Sequence, residues 1–131
     1  MSDYEVGQAG EFTKTVTEAD VVMFAGITGD FNPAHIDQVS AEKGRFGGRI
    51  AHGMLSASFI STVLGTRMPG PGTIYLSQSL RFTAPVMIGD TVTARVEVAE
   101  IMPKRRLRLA TTVTKQDGTA VVEGEAVVLA P

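Results

Sequence analysis

"AHGMLSASFISTVLGTRMPGPG", residues 51–72, decides the fold. Wound as a helix, it puts Met54, Leu55, Ser58, Phe59, Thr62 and Val63 along one face. The opposite side, Ala57, Ile60, Ser61 and Leu64, is small or apolar too. A helix without a charged face is normally buried on most sides. Pro69-Gly70-Pro71-Gly72 then stops it. Residues 50–66 come closest to a membrane span, but His52, Ser56, Ser58, Ser61 and Thr62 interrupt them. A span needs roughly 18 to 20 continuous apolar residues, so a buried helix is predicted and no membrane partner.

Beyond residue 72 the period changes. "TIYLSQSLRF", "DTVTARVEVAEI", "RRLRLATTVTK" and "TAVVEGEAVVLA" alternate with period two and favour β-branched residues, which predicts about four strands. Gly89-Asp90 and Asp117-Gly118 fall between them as turns. Val92, Ala94, Val96 and Val98 face one side, and Thr91, Thr93, Arg95 and Glu97 the other. The basic run "KRRLR" (104–108) is a mostly solvated strand face, because Arg106 and Arg108 alternate with Leu107 and Leu109. Before the helix, Glu11–Val16 is a short strand. Thr17 then caps a helix over "EADVVMFAGI", which Gly26 and Gly29 end near residue 28. The simplest packing is α+β: antiparallel strands wrapped around one apolar helix.

Residues 29–50 have no sustained period and are rich in Gly, Pro, Asn and Asp. So long an irregular segment in a small domain is usually functional or disordered. Its apolar residues, Phe31, Ile36, Val39, Phe46 and Ile50, argue for packed order. The 131 residues suit one domain, taken as 1–131. A net charge of −2 argues against a nucleic-acid partner, which needs a basic footprint. With no cysteine there is no disulfide and no thiol chemistry. Residues 1–12 carry acids and polar groups rather than a basic start and an apolar run, so no signal peptide is expected and the cytoplasm is the default.

Within that segment, "TGDFNPAHID" (28–37) places Asp30 five residues before His35. This spacing fits neither one helix face nor one strand face, and Pro33 pushes Asn32 out of the helical region. If the loop curls, a carboxylate and an imidazole share one water, which is an arrangement for general acid–base catalysis. The plainer alternative, favoured by spacing alone, is that Asp30 caps a turn and His35 bonds the backbone. His52-Gly53 opens the central helix, where unpaired N–H groups and the helix dipole favour a developing oxyanion. A plain helix start explains the same residues, and His52 reads as packing or cap. His35, Asp30, Asp37 and His52 are conceivable metal ligands, but no HExxH or comparable cluster exists, so no metal is expected.

With these residues assembled, the chain resembles the MaoC-like, (R)-specific enoyl-CoA hydratase family of hot-dog folds. "FAGITGDFNPAHID" (24–37) is similar to its hydratase motif, "IAHGMLSASFISTVLG" (50–65) to its helix opening, and "GTIYLSQSLRFTAPVMIGDTVTARVEV" (72–98) to the strand and turn that follow. Ala34 departs from the motif, where a larger aliphatic is usual. The resemblance implies a hot dog, an antiparallel sheet wrapped around the central helix, with 29–50 as an overhang roofing an acyl tunnel. It implies that Asp30 and His35 hold the catalytic water and that the Gly53 N–H receives the thioester oxygen. Asn32 holds the loop and reaches toward the water, and Ser61 lines the acyl site. It further implies an acyl-CoA thioester substrate, a homodimer or higher homo-oligomer, and no cofactor. An acyl-carrier-protein dehydratase, a thioesterase and a non-catalytic acyl-binding module are the competing readings. Lys43, Arg45, Arg49 and Arg67 are candidates for the CoA phosphates.

Overall fold

A computed structural model describes residues 3–131; residues 1 and 2, which begin both the stretch read for a leader and the 1–131 span, lie outside the described residues. The first strand, β1 (Ala9–Thr15), alternates as its sequence predicts, with Phe12, Lys14 and Val16 turned inward against exposed Thr13 and Thr15. Thr17 then caps α1 (Glu18–Thr28). Its hydroxyl accepts the Asp20 amide at 3.1 Å, and the Asp20 carboxylate accepts the Thr17 amide at 2.9 Å. This reciprocal pair satisfies two donors that the helix start leaves open. Gly29 closes α1 in the left-handed conformation, φ 82°, where a side chain would be strained.

Lys14 of β1 lies 3.1 Å from Asp20 and completes that corner. Burial pushes the Asp20 carboxyl up, but the Thr17 amide, Lys14 and the Thr17 hydroxyl outweigh it and hold the group below its ordinary 3.8. Asp90 is depressed in the same way: burial raises it, and Gln116, the Met87 amide and Lys115 more than offset the rise. A depressed carboxyl stabilises the fold fully above its unfolded value and loses that contribution as pH falls through the folded one. Asp20→Ala is therefore expected to cost about 1 kcal/mol at neutral pH. In thermal melts its deficit against the wild type should shrink once pH drops below 3.8. A deficit independent of pH would show that the charge contributes nothing.

After α1 come two short helices, α2 (Pro33–Ile36) and α3 (Gln38–Glu42), and then the central α4 (Gly53–Thr66). The strands β2 (Ile74–Gln78), β3 (Arg81–Phe82), β4 (Thr91–Met102), β5 (Arg106–Lys115) and β6 (Ala120–Leu129) complete one antiparallel sheet. Its order is β1-β4-β5-β6-β2, with β3 also on β6. Inward Val92, Ala94, Val96 and Val98 are fully buried, as the alternation predicts. Leu107 and Leu109 are buried too, while Arg108 pairs outside with Glu100 and Glu125. Gly89 and Gly118 take positive φ in the two turns expected. Leu55, Phe59, Ile60, Val63 and Leu64 of α4 press into the sheet's concave face. Each such side chain contributes about 1.5–3 kcal/mol on burial. The sheet wrapped around α4 is the hot-dog arrangement.

Three expectations need correction. The run "TIYLSQSLRF" is not one strand: the register slips between Tyr75 and Ser77, and the chain re-enters the sheet as β3. At that crossing Gly124 has no room for a side chain, since a Cβ would stand 1.8 Å from the Ser79 carbonyl oxygen. Next, α4 is not buried on most sides. In this single chain Met54, Ser58, Ser61 and Gly65 form an exposed stripe, and Met54 and Ser58 leave the buried face assigned to them. Finally, residues 29–50 are ordered by polar caps rather than by apolar burial. Asn32 and Asp37 each cap a short helix through the side chain. Phe31, Val39 and Phe46 are exposed, and Ile36 and Ile50 only half-buried.

Candidate active site

The kinked loop after α1 is built from side chain-to-backbone bonds. Thr28 Oγ1 accepts the Asp30 amide at 3.2 Å and donates to the Phe24 carbonyl at 2.8 Å. Asp30 Oδ1 accepts the Asn32 amide, and Asn32 Oδ1 accepts the Ala34 amide at 3.0 Å. Such local bonds let a short polar side chain replace a backbone partner. The chain thus turns sharply before Pro33, with Asn32 extended at ψ 127°. His35 then points inward from α2 and is buried, whereas Asp30 stays exposed.

The plainer reading of this pair holds, and it leaves one atom of each side chain uncommitted. Asp30 does cap a turn, but with Oδ1 alone; its other oxygen has no hydrogen-bond partner among the described residues. His35 does bond the backbone: its Nδ1–H donates to the Ile50 carbonyl at 2.7 Å. A carbonyl only accepts, so the proton sits on Nδ1 and the Nε2 lone pair is left over. A carboxylate oxygen of Asp30 and a ring nitrogen of His35 lie within 4.8 Å of each other. One water with partners about 2.8 Å away on each side bridges such a gap.

The remaining wall comes from the start of α4. Asp30, His35, His52, Gly53 and Met54 line a cavity of about 350 Å³, closed by Phe24 and Thr28 of α1. Gly53 is the first residue of α4, so its N–H is one that the helix itself does not use. An added Cβ on Gly53 would meet the Phe82 ring at 2.8 Å and 2.9 Å, which explains why this position has none. The positive end of α4 thus faces Asp30 and His35 across a small, mostly apolar space.

His52 takes the N-cap position without making a cap bond. Its ring is instead buried and stacked on His35, with centroids 3.9 Å apart and planes 28° from parallel. A nitrogen of His52 also lies within 4.8 Å of the Asp30 and His35 donor atoms. Stacking works against a shared ion, because in-plane lone pairs of near-parallel rings run side by side rather than converge. Asp37 stands apart from this group, with both oxygens on Ser40.

Two larger cavities flank the first. One of about 550 Å³ is lined by Phe46 and Ile50 of the overhang, by Gly53, Met54 and Ser56, and by Phe82 to Val86. Another of about 420 Å³ runs along the exposed stripe of α4, past Ser58 and Ser61, to Tyr75 and Leu80. Ser61 therefore faces a cavity, but not the one that holds Asp30. Asn32 lines none of the three, and its side-chain oxygen serves the α2 cap. Arg49 is committed internally: it donates to the His35 carbonyl at 2.7 Å and pairs with Glu18 at 2.6 Å. Arg67 sits over the Phe12 ring, 5.6 Å from its centroid.

Residues 3–122 match the family model described as "MaoC like domain". The chain belongs to the MaoC-like family. This MaoC-like chain is 51% identical over 131 residues to the (R)-specific enoyl-CoA hydratase of Rhodospirillum rubrum, a match covering 100% of this chain and 91% of the relative. It is 52% identical over 132 residues to the 3-hydroxybutyryl-CoA dehydratase of Methylorubrum extorquens, covering 100% and 83%. Among solved structures, the (R)-hydratase from A. caviae superposes with a TM-score of 0.97 at 45% identity, and each chain is covered in full. Thr28 and Phe82 are the contributors to this MaoC-like site that sequence reasoning missed, and Arg49, named only for the CoA phosphates, is held on the His35 carbonyl and Glu18. Thr28 carries a readable signal, a hydroxyl two residues before the loop aspartate. Arg49 and Phe82 reach the site only through long-range packing.

Proposed function

We propose that this protein is an (R)-specific enoyl-CoA hydratase. It adds water to a trans-2-enoyl-CoA to give the (R)-3-hydroxyacyl-CoA, and catalyses the reverse dehydration. One arrangement carries the reading: a carboxylate oxygen of Asp30 and a ring nitrogen of His35 lie within 4.8 Å of each other, a gap that one water fits, in a cavity also lined by Gly53 at the start of a helix. The named relatives supply the substrate class. The β-carbon of the enoyl thioester is electrophilic. Asp30 and His35 hold a water and take its proton as the oxygen bonds to that carbon. Charge moves to the thioester oxygen, where the Gly53 N–H receives it. The proton returns to the α-carbon, so nothing is oxidised or reduced and no cofactor is needed.

Asn32 serves by holding the loop that aims Asp30. Ser61 lines the space proposed for the acyl chain, and the overhang roofs the tunnel. The chain acts as a single MaoC-like domain, in the cytoplasm, as a homodimer or larger assembly. The exposed face supports the dimer: the edge strand β2 shows Ile74, Tyr75 and Leu76 to solvent beside Met54. An unpaired apolar edge is an aggregation hazard unless another strand covers it. Among the described residues, no helix is long and apolar enough to cross a membrane.

Purified protein mixed with crotonyl-CoA should lower the enoyl absorbance to its equilibrium level and yield the (R) product. A length series of enoyl-CoAs then reports how deep the acyl space is. Faster turnover of the acyl-carrier thioester would reassign the carrier. Release of free thiol would replace hydration with thioester hydrolysis, and no change with any substrate would leave an acyl-binding module.

A further inference from the structure

His52 is used by no step of that chemistry, yet it is 2% exposed and touches the main chain of Asp30 and the ring of His35. Its Nε2 lies 3.0 Å from the Asp30 carbonyl oxygen. That oxygen can only accept, so Nε2 carries the proton and Nδ1 the lone pair. Nδ1 is buried with no partner among the described residues. A buried acceptor left without a partner is destabilising. A phenylalanine would fill the same space without that cost, so space-filling alone does not explain a histidine here. What the imidazole adds is the Nε2–H.

The ring is held from two sides. Phe24 of α1 lies against it at 4.9 Å between centroids, and His35 of α2 stacks on it at 3.9 Å. Its backbone stands at the N-cap of α4, next to Gly53. We propose that His52 is a positioning residue that couples the two groups on the water. Its Nε2–H fixes the main chain carrying Asp30, while its ring fixes the plane of His35. The pair makes opposite choices of tautomer, with His35 protonated on Nδ1 and His52 on Nε2. This inference rests on the hydratase reading for its kinetic consequence, but not for its geometry.

Three variants separate the parts. His52→Leu removes the donor and the ring, His52→Gln keeps a donor at similar reach, and His52→Phe keeps the stack. With crotonyl-CoA, His52→Leu should lower kcat by about 100-fold, the scale of a small misplacement of reacting groups. KM should change less than about threefold, since the substrate contacts remain. Gln and Phe should each recover part of the loss. Should the leucine variant fail to fold, the Gln and Phe variants carry the kinetic test by themselves, each expected below wild type. Long-range proton–nitrogen NMR spectra give a readout without turnover. The wild type should show single, opposite tautomers for His35 and His52, and His35 should lose its single tautomer in His52→Gln. Unchanged kcat and an unchanged His35 signal in folded variants would overturn the proposal. A wild type inactive on every enoyl thioester would sink the hydratase reading, and the spectra would still decide the positioning.

Discussion

Asp30→Asn is expected to leave a folded protein that hydrates crotonyl-CoA about 1,000-fold more slowly, within the range assigned to a positioned acid–base group. The substitution is chosen to be structurally silent. The asparagine oxygen can still accept the Asn32 amide that Oδ1 accepts now, so the turn before Pro33 persists. Only the basicity of the second oxygen is removed. His35→Gln should act comparably, through loss of the Nε2 lone pair. The melting temperature of Asp30→Asn should stay close to the wild type because that side chain is exposed, whereas His35→Gln gives up a buried ring stacked on His52 and should melt lower while still folding. An active enzyme indifferent to both changes would mean that the water is bound elsewhere.

Gly124→Ala should be the most damaging single methyl group in the chain. The new Cβ would stand 1.8 Å from the Ser79 carbonyl oxygen and 2.7 Å from its carbon, and backbone cannot swing aside as a side chain can. Ser79 is also pinned to β6, donating to the Glu125 carbonyl at 2.9 Å and accepting the Glu125 amide on its hydroxyl at 3.0 Å. Relief requires prising β2 and β3 away from β6. That places the cost at about 4 kcal/mol or more, a large part of a domain's usual 5–15 kcal/mol. We expect insoluble protein, or a melting temperature lowered by about 15 °C. Gly26→Ala is the control: nothing lies within 4 Å of its added Cβ, and helix propensity favours alanine. Equal stability of the two variants would show that the crossing is slack.

The sequence was most readable where one period ran undisturbed. Val92 to Val98 and Leu107 with Leu109 could be placed from alternation alone, because a half-buried strand leaves one choice of face. The capping of α1 was legible for the same local reason, since Thr17 and Asp20 bond each other. The break between β2 and β3 was not, because it is set by a partner strand far along the chain. The exposed stripe of α4 was missed because small residues carry no sign of which side is covered. For the site, motif resemblance brought Asp30, His35 and Gly53 together where spacing favoured a plain turn. Asn32, read as holding the loop, does so as the cap of α2, and Asp37, a conceivable ligand by residue type, caps α3. His52 read as packing or cap; it packs, with its ring stacked on His35 and its Nε2 on the Asp30 carbonyl, and makes no cap bond.

All the candidate reacting groups come from residues 24–54 of one chain, while the sheet supplies only walls. Each copy in an assembly would therefore own a whole reaction centre, and centres would number the same as chains. Mixing live and Asp30→Asn copies should dilute turnover in simple proportion, with no rescue of one copy by another.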